Sequence, residues 1–292
     1  EPVNEQTLFS VGSVSKLATA TTTLRLVAAG RLDLDRDVNG YLTRWRLPSG
    51  PSGDAKVSLR MLMSHTSGLG VHGFADYQPE EPLPTLVQVL DGVAPAKTPA
   101  VRFKSLPGAV SDYSGGGVTV EQMAIEDATG RPLADIAASE LFGPLEMRRT
   151  SFERILPPER GNIASAHGPD GRPRALPRGW EGFAEPGASG LWSSADDLGK
   201  LLSALIGSYQ GRSFLLPRAL ATTMMTEVSP APFGLGPRLA GIGPSRRFFH
   251  LGANESYFAF VEGYLETGDG YVILTNGANG LGLVAEIRNA LS

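Results

Sequence analysis

The sequence predicts an α+β domain, an antiparallel sheet flanked by helices with a mostly helical subdomain, and three observations carry this. Helical patterning dominates the first two thirds of the chain, three β-rich runs follow one another late, and an amphipathic stretch closes it. Helices followed by a short antiparallel meander are the pattern of α+β folds, or of α/β domains with a helical insertion. All 292 residues read as one domain. A helical, loop-rich insertion is expected over about 40–245, sheet strands over about 246–276 and a closing helix over 283–291. The length is generous for a single domain, but length bounds domain count only loosely.

The first helix is expected over 14–29, where Leu17, Leu24, Val27 and Ala28 recur at helical spacing and Gly30 supplies the stop. A short helix over 59–64 runs into the turn-rich Thr66-Ser67-Gly68-Leu69-Gly70. Five prolines between 71 and 104 predict a long loop-rich excursion. Helical patterning returns over 118–129, with Val120, Met123, Ala124 and Ala128 on one face and Gly130 as cap, and again over 133–141. Ser194-Ala195-Asp196-Asp197 reads as a capping box before Leu198, Leu201, Leu202 and Leu205. The runs 248–251, 257–264 and 271–275 are aromatic or β-branched and separated by Gly, Asn and Asp, so they read as three successive strands.

Composition excludes several function classes. The net charge is −4 and the pairs Arg148-Arg149 and Arg246-Arg247 are too short for a nucleic-acid footprint. No apolar stretch reaches the length of a membrane span. The absence of cysteine removes disulfides, thiolate metal sites and a thiol nucleophile, and leaves the compartment open. His65, His72, His167 and His250 lack the spacing of a zinc site, so neither metal nor cofactor is expected. The chain opens Glu1-Pro2-Val3-Asn4, which is not a signal peptide.

Three motifs carry chemistry. Ser13-Val14-Ser15-Lys16 opens the first helix. Residues three apart share a helix face, so the lysine amine can accept the serine proton and make Ser13 a nucleophile. A solvated lysine on a surface helix is the bland alternative. Asp112-Tyr113-Ser114-Gly115-Gly116-Gly117 places a tyrosine in a tight glycine loop before a helix, where a phenolate can shuttle protons if a nearby ammonium lowers its pKa. Otherwise Tyr113 covers a core edge. His250-Leu251-Gly252-Ala253 lies on the first late strand. Gly252 lets a ligand backbone lie against that strand, and the Ala253 N–H can be the second oxyanion donor beside that of Ser13. His250, near its ordinary pKa of ~6.5, can donate to a substrate oxygen; a sheet-edge histidine is the plain alternative.

Together, in this order, the three motifs resemble those of the penicillin-recognising serine hydrolases. The chain looks most like the branch of class C β-lactamases, D-Ala-D-Ala carboxypeptidases of that type and family VIII esterases, whose second motif is Tyr-x-Asn and whose third is often His-x-Gly. Leu62-Met63-Ser64-His65-Thr66-Ser67-Gly68-Leu69, Gly143-Pro144-Leu145-Glu146-Met147 and the segment from Gly187 to Leu198 resemble further family blocks, so the resemblance spans nearly the whole chain. It implies a β-lactamase-like fold, catalytic Ser13, Lys16, Tyr113 and His250, and substrate contacts at Gly115, Gly252, Asn254 and Trp192. His65 reads as a structural turn residue bonded to backbone, while Trp180 and Trp192 either line an acyl pocket or pack the core.

Departures from the family sharpen the functional expectation. Gly115 replaces an Asn that holds a substrate amide, Leu251 a Thr and His250 a Lys that hold the β-lactam carboxylate. A site loses strongly when such polar partners go, so ester or amide hydrolysis is expected ahead of β-lactam hydrolysis. The ranking is carboxylesterase, then D-amino-acid peptidase or DD-carboxypeptidase, then β-lactamase, with acyl transfer using the same residues. The contrasting class is a penicillin-binding sensor or pseudo-enzyme that does not turn over. Relatives carry a helix and two strands before the serine motif, so 271–275 is expected to need an N-terminal segment to cover its edge.

Overall fold

The computed structural model describes residues 2–50 and 56–291; Glu1, residues 51–55 and Ser292, all within the expected domain, lie outside it. The chain folds around helix α1 (Ser15–Ala28), which is buried along almost its whole length. Helices that are apolar or small on every side go to the centre of a domain. The threonines of α1 survive there because Thr19, Thr21, Thr22 and Thr23 each bond back to the carbonyl four residues earlier.

Strand β1 (Phe9–Ser10) precedes α1, and helices α2 (Leu59–Met63), α3 (Leu86–Asp91), α4 (Gly115–Thr129) and α5 (Leu133–Ala137) follow. Strand β2 (Ser151–Phe152), helix α6 (Pro186–Ser189) and strand β3 (Leu191–Ser193) then build a small antiparallel sheet in the order β1-β3-β2. These short strands carry too few residues to show a period of two, and the sequence reading did not find them. It also missed α3, inside the proline-rich excursion, which is held by a Thr85–Gln88 capping box and closed by left-handed Gly92. The expected helix over 133–141 is α-helical to Ala137 and continues as a π turn over Ala138–Phe142.

Helices α7 (Ala195–Tyr209) and α8 (Arg218–Met224) lead into the main sheet. Its strands are β4 (Arg238–Ala240), β5 (Arg247–Ala253), β6 (Phe258–Tyr264) and β7 (Gly270–Thr275), antiparallel in the order β4-β5-β6-β7. Three of these were expected; β4, three residues long and paired Arg238 to Phe249, was not. The register sets His250 against Val261 and Leu251 against Phe260. Alternation sorts the faces: Phe248, Ala259 and Val261 join the core around α1 and α7, while Phe249, Phe258 and Phe260 pack toward α9 (Gly280–Leu291). The sheet thus lies between α9 and the α1/α7 layer. β7 ends the order, and no strand lies beyond it among the described residues.

Candidate active site

Two glycines bring Ser13 to the edge of β5. Gly12 sits at φ +49, and a Cβ there would lie 2.9 Å from the Ala253 nitrogen; one on Gly252 would lie 2.2 Å from the Val11 carbonyl oxygen. Only hydrogen fits between these backbones. The approach sets the amide-bearing end of β5 beside the single-turn helix Gly12–Val14 from which Ser13 projects, half-buried. Gly252 therefore packs against the chain rather than against substrate, which corrects its expected role as a substrate contact.

Lys16 is buried one turn on, and its Nζ donates to Ser13 Oγ at 3.0 Å and to the Ala188 carbonyl at 2.7 Å. A solvated surface lysine is thereby excluded. Ser15 ties this turn to the small sheet: its Oγ donates to the Gly12 carbonyl at 2.6 Å and accepts from the Leu191 N–H at 2.9 Å. Tyr113 comes from the other side. The glycines after it are not a free loop but the first turn of α4, capped by Ser114 Oγ on the Gly117 N–H. The Tyr113 ring lies 4.3 Å from that of His65 and 4.8 Å from that of His72, with Lys16 Nζ 5.0 Å from its centroid. The ring faces the ammonium, and no hydrogen bond joins it to Ser13 or Lys16 among the described residues; such contacts commonly tighten only with substrate bound.

His65 is buried at φ +59, and its Nδ1 accepts the Ser114 N–H at 3.2 Å. It holds Tyr113 from behind, as the structural reading of this residue expected. Burial and the Lys16 charge keep its imidazole neutral, well below the usual histidine range. His250 is likewise buried, and burial with the Lys16 charge lowers it to about 3. Its Nδ1 donates to the Leu251 carbonyl at 2.9 Å, so Nε2 carries the lone pair and has no partner among the described residues. The expectation of a histidine titrating near 6.5 is corrected: His250 offers a neutral acceptor.

Ser13, Lys16, His72, Tyr113 and His250 line a cavity of about 480 Å³ together with Ser189, Ala253 and Asn254. Asn254 faces it only in part, because its amide donates to Ser10 Oγ at 2.6 Å and so pins the end of β5. Two expected contacts lie elsewhere. Trp192 is fully buried among Trp180, Phe183 and Tyr257, in a core cluster away from the cavity, which settles the packing alternative for both tryptophans. Gly115 is covered by the loop from His72 to Phe74: a Cβ would meet the His72 carbonyl oxygen and the Phe74 ring, each at 3.0 Å. Where an amide-bearing side chain was expected to be lacking, an aromatic ring stands instead.

Apart from Leu251 of the third motif, the rest of the cavity lining was announced by no motif. Phe74, Phe233, Phe249, Leu251 and Phe260 form its apolar walls, with Leu281 and Val284 of α9 closing one side. Arg238 enters from β4, its guanidinium 4.7 Å above the Phe233 ring and without a carboxylate partner among the described residues. Phe249, on the strand face opposite His250, and Arg238, inside the expected insertion, gave no sequence signal as cavity residues.

A serine and a lysine one turn apart, on a buried helix set against the edge of an antiparallel strand, define the β-lactamase-like class of folds. The chain belongs to the Beta-lactamase family, whose model matches residues 1–291. It is 30% identical over 267 residues to Esterase EstB of Burkholderia gladioli, covering 83% of this chain and 66% of that protein. It is 26% identical over 263 residues to a D-aminopeptidase of Brucella ovis, covering 85% of this chain and 46% of the relative. Among solved structures, SurE superposes with a TM-score of 0.73 at 27% identity, over 98% of this chain and 64% of that one. A D-amino acid amidase of Ochrobactrum anthropi complexed with D-phenylalanine gives 0.73 at 26% identity, over 94% and 79%. The chain thus spans just under two thirds of the esterase and less than half of the aminopeptidase. No described helix is long and apolar enough to cross a membrane.

Proposed function

We propose that this protein is a serine hydrolase that works through an acyl-enzyme and acts foremost as a carboxylesterase. The observation that carries this reading is the Ser13 Oγ–Lys16 Nζ contact of 3.0 Å on the wall of a largely apolar cavity, beside the Ala253 amide. Ser13 Oγ attacks the ester carbonyl carbon as its proton passes to Lys16 in the neutral amine form, which must first give up its own proton to solvent, with Tyr113 as second proton carrier. The N–H groups of Ser13 and Ala253 hold the oxyanion. The leaving alkoxide takes a proton from Lys16 or Tyr113, and water then cleaves the acyl-enzyme. Similarity to an esterase supports the choice of bond, and the aromatic walls support an uncharged substrate.

Arg238 favours a second reading. An unpaired guanidinium at the cavity suits a substrate carboxylate, the group a DD-carboxypeptidase or other D-amino-acid peptidase would present. The test is intact mass and product release with p-nitrophenyl butyrate, a D-alanyl-D-alanine peptide and a penicillin, alongside Ser13→Ala. A transient butyryl adduct with p-nitrophenol release, absent in the alanine variant, is the expected result. Faster turnover of the peptide moves the assignment to peptidase, a long-lived penicillin adduct without turnover moves it to a sensor, and an unimpaired Ser13→Ala variant refutes the nucleophile.

A further inference from the structure

Behind the cavity, three carboxylates distant in sequence converge. Asp76 follows the wall residue Phe74, Glu255 follows Asn254 at the end of β5, and Glu181 lies between them, fully buried; one oxygen of each falls within 4.8 Å of the others. Arg174 bonds Glu181 Oε1, Glu255 Oε2 at 2.8 Å and Ser256 Oγ at 2.9 Å, and the Glu255 N–H donates to Asp76 Oδ2 at 2.7 Å. Ser256 Oγ also donates to Glu181 Oε1 at 2.9 Å. This bonding uses one oxygen of each carboxylate and leaves the other three spare. The spare oxygen of Glu181, Oε2, is buried without a hydrogen-bond partner among the described residues. A buried carboxylate oxygen left unpaired is costly, and one guanidinium offsets only one of three acidic groups.

We propose that Asp76, Glu181 and Glu255 bind a divalent cation, with calcium the best match. The ligand chemistry is all oxygen, which selects a hard cation over zinc or copper. Calcium–oxygen distances of about 2.3–2.6 Å let ligand oxygens spread to about 5 Å across the ion, whereas magnesium draws them to about 4 Å. The three ligand oxygens lie within 4.8 Å of one another, inside that span, and three protein carboxylates are more than the one or two that a water-retaining magnesium ion usually takes. Glu255 is exposed and opens the site to solvent, leaving room for the waters that complete a calcium shell. The cation would join the loop carrying Phe74 to the turn carrying Ala253 and Asn254, two opposite walls of the cavity. Sequence spacing expects no metal, and the trio is invisible there because positions 76, 181 and 255 share no local pattern.

The test is isothermal titration of EDTA-stripped protein with calcium chloride and, separately, magnesium chloride, with melting curves in parallel. Three carboxylates sharing an arginine place the calcium dissociation constant at roughly 0.1–1 mM. About 10 mM calcium then raises Tm by ~2–4 °C. Glu255→Gln, at an exposed side chain, is expected to keep the EDTA-state Tm while losing calcium binding at least tenfold. Glu181→Gln is expected to lose it as well. The proposal is overturned if calcium gives neither heat nor a Tm shift, or if Glu255→Gln binds it as the parent does. Magnesium binding as tight as calcium overturns the choice of ion. None of these readouts depends on hydrolase activity.

Discussion

Gly252→Ala probes the contact on which the candidate active site rests. The new Cβ would lie 2.2 Å from the Val11 carbonyl oxygen, against ordinary contact from 3.4 Å, so β5 and the Val11–Ser13 segment must part by about 1.2 Å. Backbone stands on both sides, so no side chain can swing away. The displacement moves the Ala253 amide relative to Ser13 Oγ, and a shift of about 1 Å at a reacting centre costs roughly 10²-fold in rate. Loss of one oxyanion donor costs about the same, 10²–10³-fold in kcat. Overpacking costs about 1–3 kcal/mol of stability, which lowers Tm by ~2–5 °C in a chain of this size. The assay is kcat and KM for p-nitrophenyl acetate, well below the melting point of both proteins, with near-UV circular dichroism as the check on folding. The expected outcome is a folded variant with kcat down about 10²-fold and KM little changed. A folded variant whose kcat/KM stays within about twofold of the parent would refute the claim that this approach builds the oxyanion site.

Two further predictions concern stability. Glu121 is buried, accepts the Thr23 hydroxyl at 2.6 Å and is pushed up to about 8 by burial. It folds protonated, so its contribution is whole below about pH 4.5 and is lost as pH rises toward 8, by roughly 1.4 kcal/mol per unit inside that window. Glu121→Gln removes the loss, and its Tm should fall less than the parent's between pH 5 and 8; parallel curves would contradict a neutral Glu121. Gly199, inside α7, has no described atom within 4 Å of a would-be Cβ, so Gly199→Ala should add about 0.5–1 kcal/mol and raise Tm by ~1–2 °C without changing activity. A lower Tm would mean that the helix surface there is not free.

The sequence by itself determined the α+β class, the Ser13–Lys16 pair and the long strands, because each rests on local periodicity. Helix faces repeat every 3.6 residues, strand faces every two, and a lysine one turn after a serine shares its face in any helix. The first late strand runs past its apolar run at both ends, at Arg247 and at Gly252 and Ala253, residues that continue the pairing with the next strand. What the tertiary structure decided is everything built from side chains distant in sequence. Trp192 sits in the second core because Trp180, Phe183 and Tyr257 surround it, and nothing in its own segment specifies that. His250 loses its ordinary titration because burial and Lys16 act on it through space. Arg238 reaches the cavity from a strand too short to have a period, and Asp76, Glu181 and Glu255 meet only after three separate loops have docked. Local pattern fixes which elements form, while charge, burial and close approach depend on distances that exist only once the chain is folded.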